Sequence, residues 1–172
     1  MNTPLTTSPA EPDSSETPRP DFIVGAYTSL PFDRRDQETY YSLLSEQAWI
    51  NGLEIPFPGD LTESLPWLSH QIADHWNSNT ITAIPGTMVN VSKNHKFGLA
   101  SADEDGRDAA LEFTDRICKA VQELASRTGR SVIKYVQLHS APTTGAHSET
   151  FACSLDEIAT WDWSGARIVI EH

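Results

Sequence analysis

Five short apolar runs, at about 22–27, 52–56, 79–84, 132–138 and 166–171, alternate with stretches of helical periodicity, and no two of them are joined by a hairpin turn. Antiparallel neighbours can be linked by two residues, whereas parallel strands need a crossover of a dozen or more, usually helical. The chain is therefore predicted to be α/β, with parallel strands and right-handed crossovers. The last run shows the plan most plainly. Gly165-Ala166-Arg167-Ile168-Val169-Ile170 ends in three consecutive β-branched residues suited to a buried strand, and Glu171 and His172 stand where such a strand would leave its sheet. Glu54 occupies the same position in the run at 52–56, and His139 follows the run at 132–138. In α/β folds functional groups gather at the carboxyl ends of parallel strands, which makes these residues the first candidates for a site.

Between the strands, four helices are predicted. The first covers 36–49, with Tyr40, Leu43, Leu44, Gln47 and Ala48 along one face; the second covers 64–76, with Ser64 as N-cap and Leu65, Leu68 and Ile72 as its apolar stripe. The third, 107–127, carries Ala110, Thr114, Ile117, Val121 and Leu124 on one stripe and places Gly129 just past its end. A capping box, Ser154-Leu155-Asp156-Glu157, predicts a short fourth helix ending near Trp163. The polar stretch 87–106 follows a Pro85-Gly86 breaker and is predicted to be a long loop, a candidate lid over the strand ends.

Composition narrows the function. Twelve Lys and Arg against 24 Asp and Glu leave 172 residues with a formal charge of −12, which would repel a phosphate backbone, so nucleic acid is not expected as a partner. The apolar runs are strand-sized, far short of the roughly 20 residues of a membrane span, and the N-terminus has neither the basic nor the apolar region of a signal peptide. A cytoplasmic protein without membrane contact is expected. Residues 1–20 are rich in Thr, Ser, Pro and Glu and are predicted to form a disordered N-terminal tail, leaving 21–172 as the folded unit. Cys118 and Cys153 have no CxxC or Cys/His ligand spacing around them and are expected to be reduced thiols.

A dinucleotide-binding sheet would place a glycine-rich turn after its first strand, and Gly25-Ala26-Tyr27-Thr28 contains no GxGxxG. Instead, GLEIPF at 52–57, AIPGTM at 83–88, KFGLASADEDGRDAAL at 96–111, YVQLHSAP at 135–142 and IVIEH at 168–172 resemble, in order, the N-terminal half of an uncharacterised family of xylose isomerase-like TIM barrel proteins. The resemblance implies a partial (β/α)8 TIM barrel of about five strands and four helices, truncated before strands 6 to 8. It implies kinship with sugar isomerases, sugar epimerases and apurinic endonucleases. In the epimerase branch a divalent metal (Mg, Mn or Zn) is held at the ends of strands 5 to 8, its first ligand a Glu leaving strand 5; Glu171 is the matching residue. The expected function is that of a metal-dependent isomerase or epimerase acting on a small-molecule sugar or polyol, inactive as the isolated chain because strands 6 to 8 would carry the other ligands. The alternative is a barrel that binds a carbohydrate or small metabolite without turning it over. The endonuclease branch fits poorly with the acidic charge.

Glu54, His139 and Glu171 are the candidate catalytic residues, with Glu171 also the candidate metal ligand. A carboxylate at a strand end can orient sugar hydroxyls, and a His can serve as substrate or metal contact; each can equally be a structural ion pair or hydrogen bond. His95, Arg107 and His172 are candidate substrate contacts. His95 lies in a small basic cluster with Lys93 and Lys96, and with Arg107 it could meet an anionic group or form a solvated face; His172 could simply fray.

Overall fold

The structure, a computed structural model, describes residues 20–142 and 144–171. The expected tail lies outside the described residues except for Pro20, and so does His172. Five strands, β1 (Ile23–Val24), β2 (Gly52–Pro56), β3 (Asn79–Thr82), β4 (Ile133–His139) and β5 (Arg167–Glu171), form one sheet in the order β1-β2-β3-β4-β5. Every neighbouring pair is parallel. Sequential order with right-handed crossovers puts each connecting helix on the same side of a sheet. The helices accordingly touch one another in chain order: α1 (Arg34–Ser45) against α3 (Leu65–Gln71), α3 against α5 (Glu104–Thr128), and α5 against α6 (Ser148–Ile158). Leu53, Ile55, Ile81, Val136 and Leu138 point into this helix-covered side and join Trp76, Ile117, Val121 and Leu124 in one buried core. The stripe of α5 is the predicted one, and Gly129 ends the helix in the left-handed region at φ 69°. Among the described residues no helix is long and apolar enough to cross a membrane.

Among the described residues six α-helices form where four were predicted, and each difference has a local cause. Strand 22–27 shrinks to two residues because Thr28 and Ser29 donate their hydroxyls back to Gly25 and Ala26 carbonyls, pulling 26–29 into a 3-10 turn. α1 starts at Arg34, since Asp33 Oδ1 accepts from Arg35 N at 2.9 Å. A short helix, α2 (Gly59–Glu63), precedes α3. The expected long loop at 87–106 is mostly absent: α4 (Ile84–Lys93) occupies its first part. Pro85 sits in the first turn of α4, where a missing N–H is harmless, and Gly86 lets the helix start press on Phe113, whose ring a Cβ would meet at 2.6 Å. The remaining connection, 94–103, is a packed segment and no lid. Leu99, Ala100 and Ser101 are buried, Ala100 N donates to Ser140 O at 3.0 Å, and Asp103 caps α5 by accepting from Gly106 N.

The capping box at 154–157 is also corrected. α6 begins at Ser148, and Ser154 lies buried inside it, donating to Leu99 O at 2.8 Å, so its hydroxyl fastens the 94–103 segment to the helix. Trp163, expected near the end of that helix, lies beyond it and donates Nε1–H to Ile158 O. Both cysteines are free; Cys118 is buried in α5, where burial pushes its thiol up to about 11, and Cys153 is exposed on α6.

Candidate functional site

Side chains alternate across a strand, so the positions between the core residues face the side of the sheet away from the helices. Register groups them into rows. Glu54, Thr80, Tyr135 and Arg167 are successive partners across β2 to β5; Pro56, Thr82, Gln137 and Val169 form the next row toward the strand ends; His139 and Glu171 form the last. This open face is largely polar.

The three candidate catalytic residues all belong to it. His139 and Glu171 are partners at the carboxyl ends of β4 and β5, with His139 Nε2 3.7 Å from Glu171 Oε2. That separation is too long for a hydrogen bond. The His139 side chain is only 8% exposed, yet its Nε2 has no hydrogen-bond partner among the described residues, whereas the Glu171 side chain is 51% exposed. α4 and the residues after β4 close a cleft around the pair, lined by Ile84, Thr87, Met88, Val91, Ser140, Ala141 and Pro142. The site therefore combines an apolar wall with a few convergent polar groups, the usual make-up of a small-molecule pocket.

Glu54 is half-buried on β2, and burial raises its pKa above the ordinary 4.5, with the negative charge of Glu171 adding to the effect. Its carboxylate lies over the backbone of Gly25, where a Cβ would come within 3.1 Å of Glu54 Oε2. Tyr27, in the 3-10 turn after β1, titrates above its usual range through burial and then through the charges of Glu54 and Glu171. Sequence reasoning did not single out Tyr27. Its signal is its place at the end of the first apolar run, the same strand-exit position that marks the other candidates.

The raised pKa of Glu54 fixes the sign of a stability effect. Folding favours the neutral acid, so its contribution is full below pH 4.5, where the carboxyl is protonated in both states, and is lost as pH rises through the higher folded value. Glu54→Gln is expected to melt at a higher temperature than the unaltered chain at pH 7–8 and at the same temperature near pH 4, as thermal melts across that range would show.

His95 is exposed on the 94–103 connection, and Arg107 is half-buried in the first turn of α5; neither lines the cleft around His139. Lys96 of the same basic cluster is engaged with Asp103 at 2.7 Å. His139 and Glu171 offer two donors to a divalent ion, and the unpartnered Nε2 facing a carboxylate is the donor chemistry such an ion uses. Among the described residues no three His, Cys, Asp or Glu side chains come together as a ligand set.

The chain is similar to an uncharacterized protein of Salmonella typhimurium, with 35% identity over 161 residues, which take in 88% of this chain and 51% of the relative. It thus spans about half the length of the curated relative it matches. Residues 23–172, which include every strand and all the strand-end residues described above, match the model of a domain of unknown function, DUF4862, and the chain belongs to that family.

Proposed function

We propose that the domain at 21–172 is the N-terminal part of a xylose isomerase-like (β/α)8 barrel, and that the whole protein is a metal-dependent isomerase or epimerase of a sugar or polyol, working in the cytoplasm. The observation that carries this reading is the pair of adjoining strand ends where His139 Nε2, buried and unpartnered, faces Glu171 Oε2 at 3.7 Å. The curvature of the sheet supports it. Asp21, ahead of β1, reaches Ser78 Oγ at 2.7 Å and pairs with Lys134 on β4, so the first and fourth strands are drawn together at their amino ends. At the other ends Glu54, with β3 and β4 between it and β5, still feels the charge of Glu171. Both relations are those of a sheet curling toward its open face, as a barrel wall does.

In this reading His139 and Glu171 would hold the ion, which when bound would supply Lewis-acid polarisation of a substrate's carbonyl and alkoxide oxygens. Glu54, whose pKa burial raises, keeps its proton to a higher pH than a solvated carboxylate and is the stronger base once ionised, the property a proton-transfer residue needs. Ile84, Met88 and Val91 give the cleft beside His139 an apolar wall.

Titration of the chain with Mn²⁺ and Zn²⁺, followed by calorimetry, tests the reading. Glu171→Gln and His139→Ala are each expected to weaken binding at least about 10-fold. Metal binding that both variants leave unchanged would overturn it. A sugar that stabilises the protein equally with and without chelator, and is not turned over, would favour the non-catalytic binding barrel.

A further inference from the structure

Five buried polar side-chain atoms lack a hydrogen-bond partner among the described residues, and three of them lie on the open face at the strand ends: Thr82 Oγ1, Gln137 Oε1 and His139 Nε2. Native interiors leave few such atoms, and each is costly when stranded, so three on one face call for a function. Thr82 and Gln137 are register partners on β3 and β4, with Pro56 and Val169 as the apolar partners on either side. Thr82 is fully buried, whereas Gln137 is half-buried although its Oε1 is closed off, which leaves the amide nitrogen as the end toward the open side of the sheet.

We propose that Gln137 is a specificity-determining residue that donates its amide N–H to an oxygen of an uncharged sugar or polyol, and that Thr82 is its positioning residue. The Thr82 hydroxyl can donate and the Gln137 carbonyl can only accept. Adjacent partners on one face of a sheet lie close enough for that bond to form as a ligand seats, and it locks the amide with its nitrogen outward. Glu54 and Glu171 flank this row with acidic groups and outnumber Arg167, the cation in the row of Glu54, which favours a neutral partner over an anion. The inference deepens the sugar or polyol reading and rests on it for the identity of the ligand.

The test uses the 172-residue chain with D-xylose and sorbitol as neutral probes and D-gluconate as the anionic one, in EDTA, with affinity read by ligand-observed NMR. The neutral probes are expected to bind, and gluconate to bind at least roughly ten-fold more weakly. Gln137→Leu is expected to weaken the neutral probes roughly three- to ten-fold, the loss of one neutral hydrogen bond. Thr82→Val is expected to weaken them several-fold while raising the melting temperature, because it removes a stranded hydroxyl without changing shape, and Thr82→Ser should restore affinity. A purely structural Thr82 would show the stabilisation without the loss of binding. Unchanged affinity in Gln137→Leu, preference for gluconate, or no binding of either neutral probe overturns the proposal. Because EDTA removes the metal, failure of metal-dependent turnover would end the isomerase reading without altering this result.

Discussion

Asn79→Ala is expected to remove about 3–5 kcal/mol of stability, a large part of the roughly 5–15 kcal/mol that holds a domain of this kind folded. Asn79 opens β3 and is completely buried. Its Oδ1 accepts from Leu53 N of β2 at 2.8 Å, and its Nδ2 donates to Val132 O, just ahead of β4, at 2.9 Å and to Trp76 O at 3.0 Å. One side chain thus ties three strands at the amino end of the sheet. Trp76 O keeps a second donor in Arg130, and Val132 O keeps the backbone N–H of Asn79, but Leu53 N would lose its only side-chain partner in a place closed to water. A stranded buried N–H costs about 1–3 kcal/mol, and the two lost donations add about 1 kcal/mol each. Asn79→Asp should do no better, since it keeps the acceptor for Leu53 N but turns a carboxylate toward two carbonyl oxygens. Urea denaturation would show the effect as a lowered midpoint with an unchanged slope; a midpoint shift under about 1 kcal/mol would mean that the bonds are replaced by relaxation.

The second large effect is expected at Gly98. A Cβ there would lie 2.2 Å from the carbonyl carbon of Ala141, 2.3 Å from Pro142 N and 2.4 Å from Ala141 O. All three are backbone atoms, so no rotamer change relieves the overlap. Either the 94–103 segment lifts off, breaking the bonds from Ala100 N to Ser140 O and Ala141 O, or the 140–142 segment moves and carries the cleft wall beside His139 with it. Gly98→Ala is expected to cost about 2–4 kcal/mol and to weaken ligand and metal binding together. Gly129→Ala is the control: its φ of 69° is unfavourable for a side chain, but nothing lies within 4 Å, so the loss should stay near 1–2 kcal/mol with binding intact. Equal effects of the two substitutions would show that Gly98 is not a tight contact.

The parts of this fold that could be read in advance were those set by local chemistry. β2 runs over the predicted 52–56, and the stripe of α5 is buried as its spacing requires, because apolar periodicity directly reports which face is covered. Errors came where a local signal had a distant answer. Pro85-Gly86 resembles a stop signal, yet Gly86 serves the close approach of α4 to Phe113; Ser154 resembles a helix cap, yet its partner is Leu99, 55 positions earlier. β3 reads Asn-Thr-Ile-Thr and is buried throughout, and its Asn79 is accounted for only by partners on β2 and just ahead of β4. The same holds for the candidate site. Glu54, His139 and Glu171 were legible as strand-exit residues, but the influence of Glu171 on Glu54 depends on how far the sheet curls, which no spacing along the chain encodes.

The order of the strands also bears on how the protein is made. Each strand pairs with the one completed before it: Ile23 with Gly52, Glu54 with Thr80, Thr80 with Tyr135, and Tyr135 with Arg167, spanning 29, 26, 55 and 32 positions by subtraction of residue numbers. No strand waits for a later one to be inserted between it and its neighbour. A chain leaving the ribosome can therefore extend its sheet in the direction of synthesis. The β3–β4 step closes about twice as much chain as the step before it, an added cost of only about 0.6 kcal/mol. The 25-residue α5 spans that interval, so the longest wait during translation is filled by the element most able to form from its own contacts.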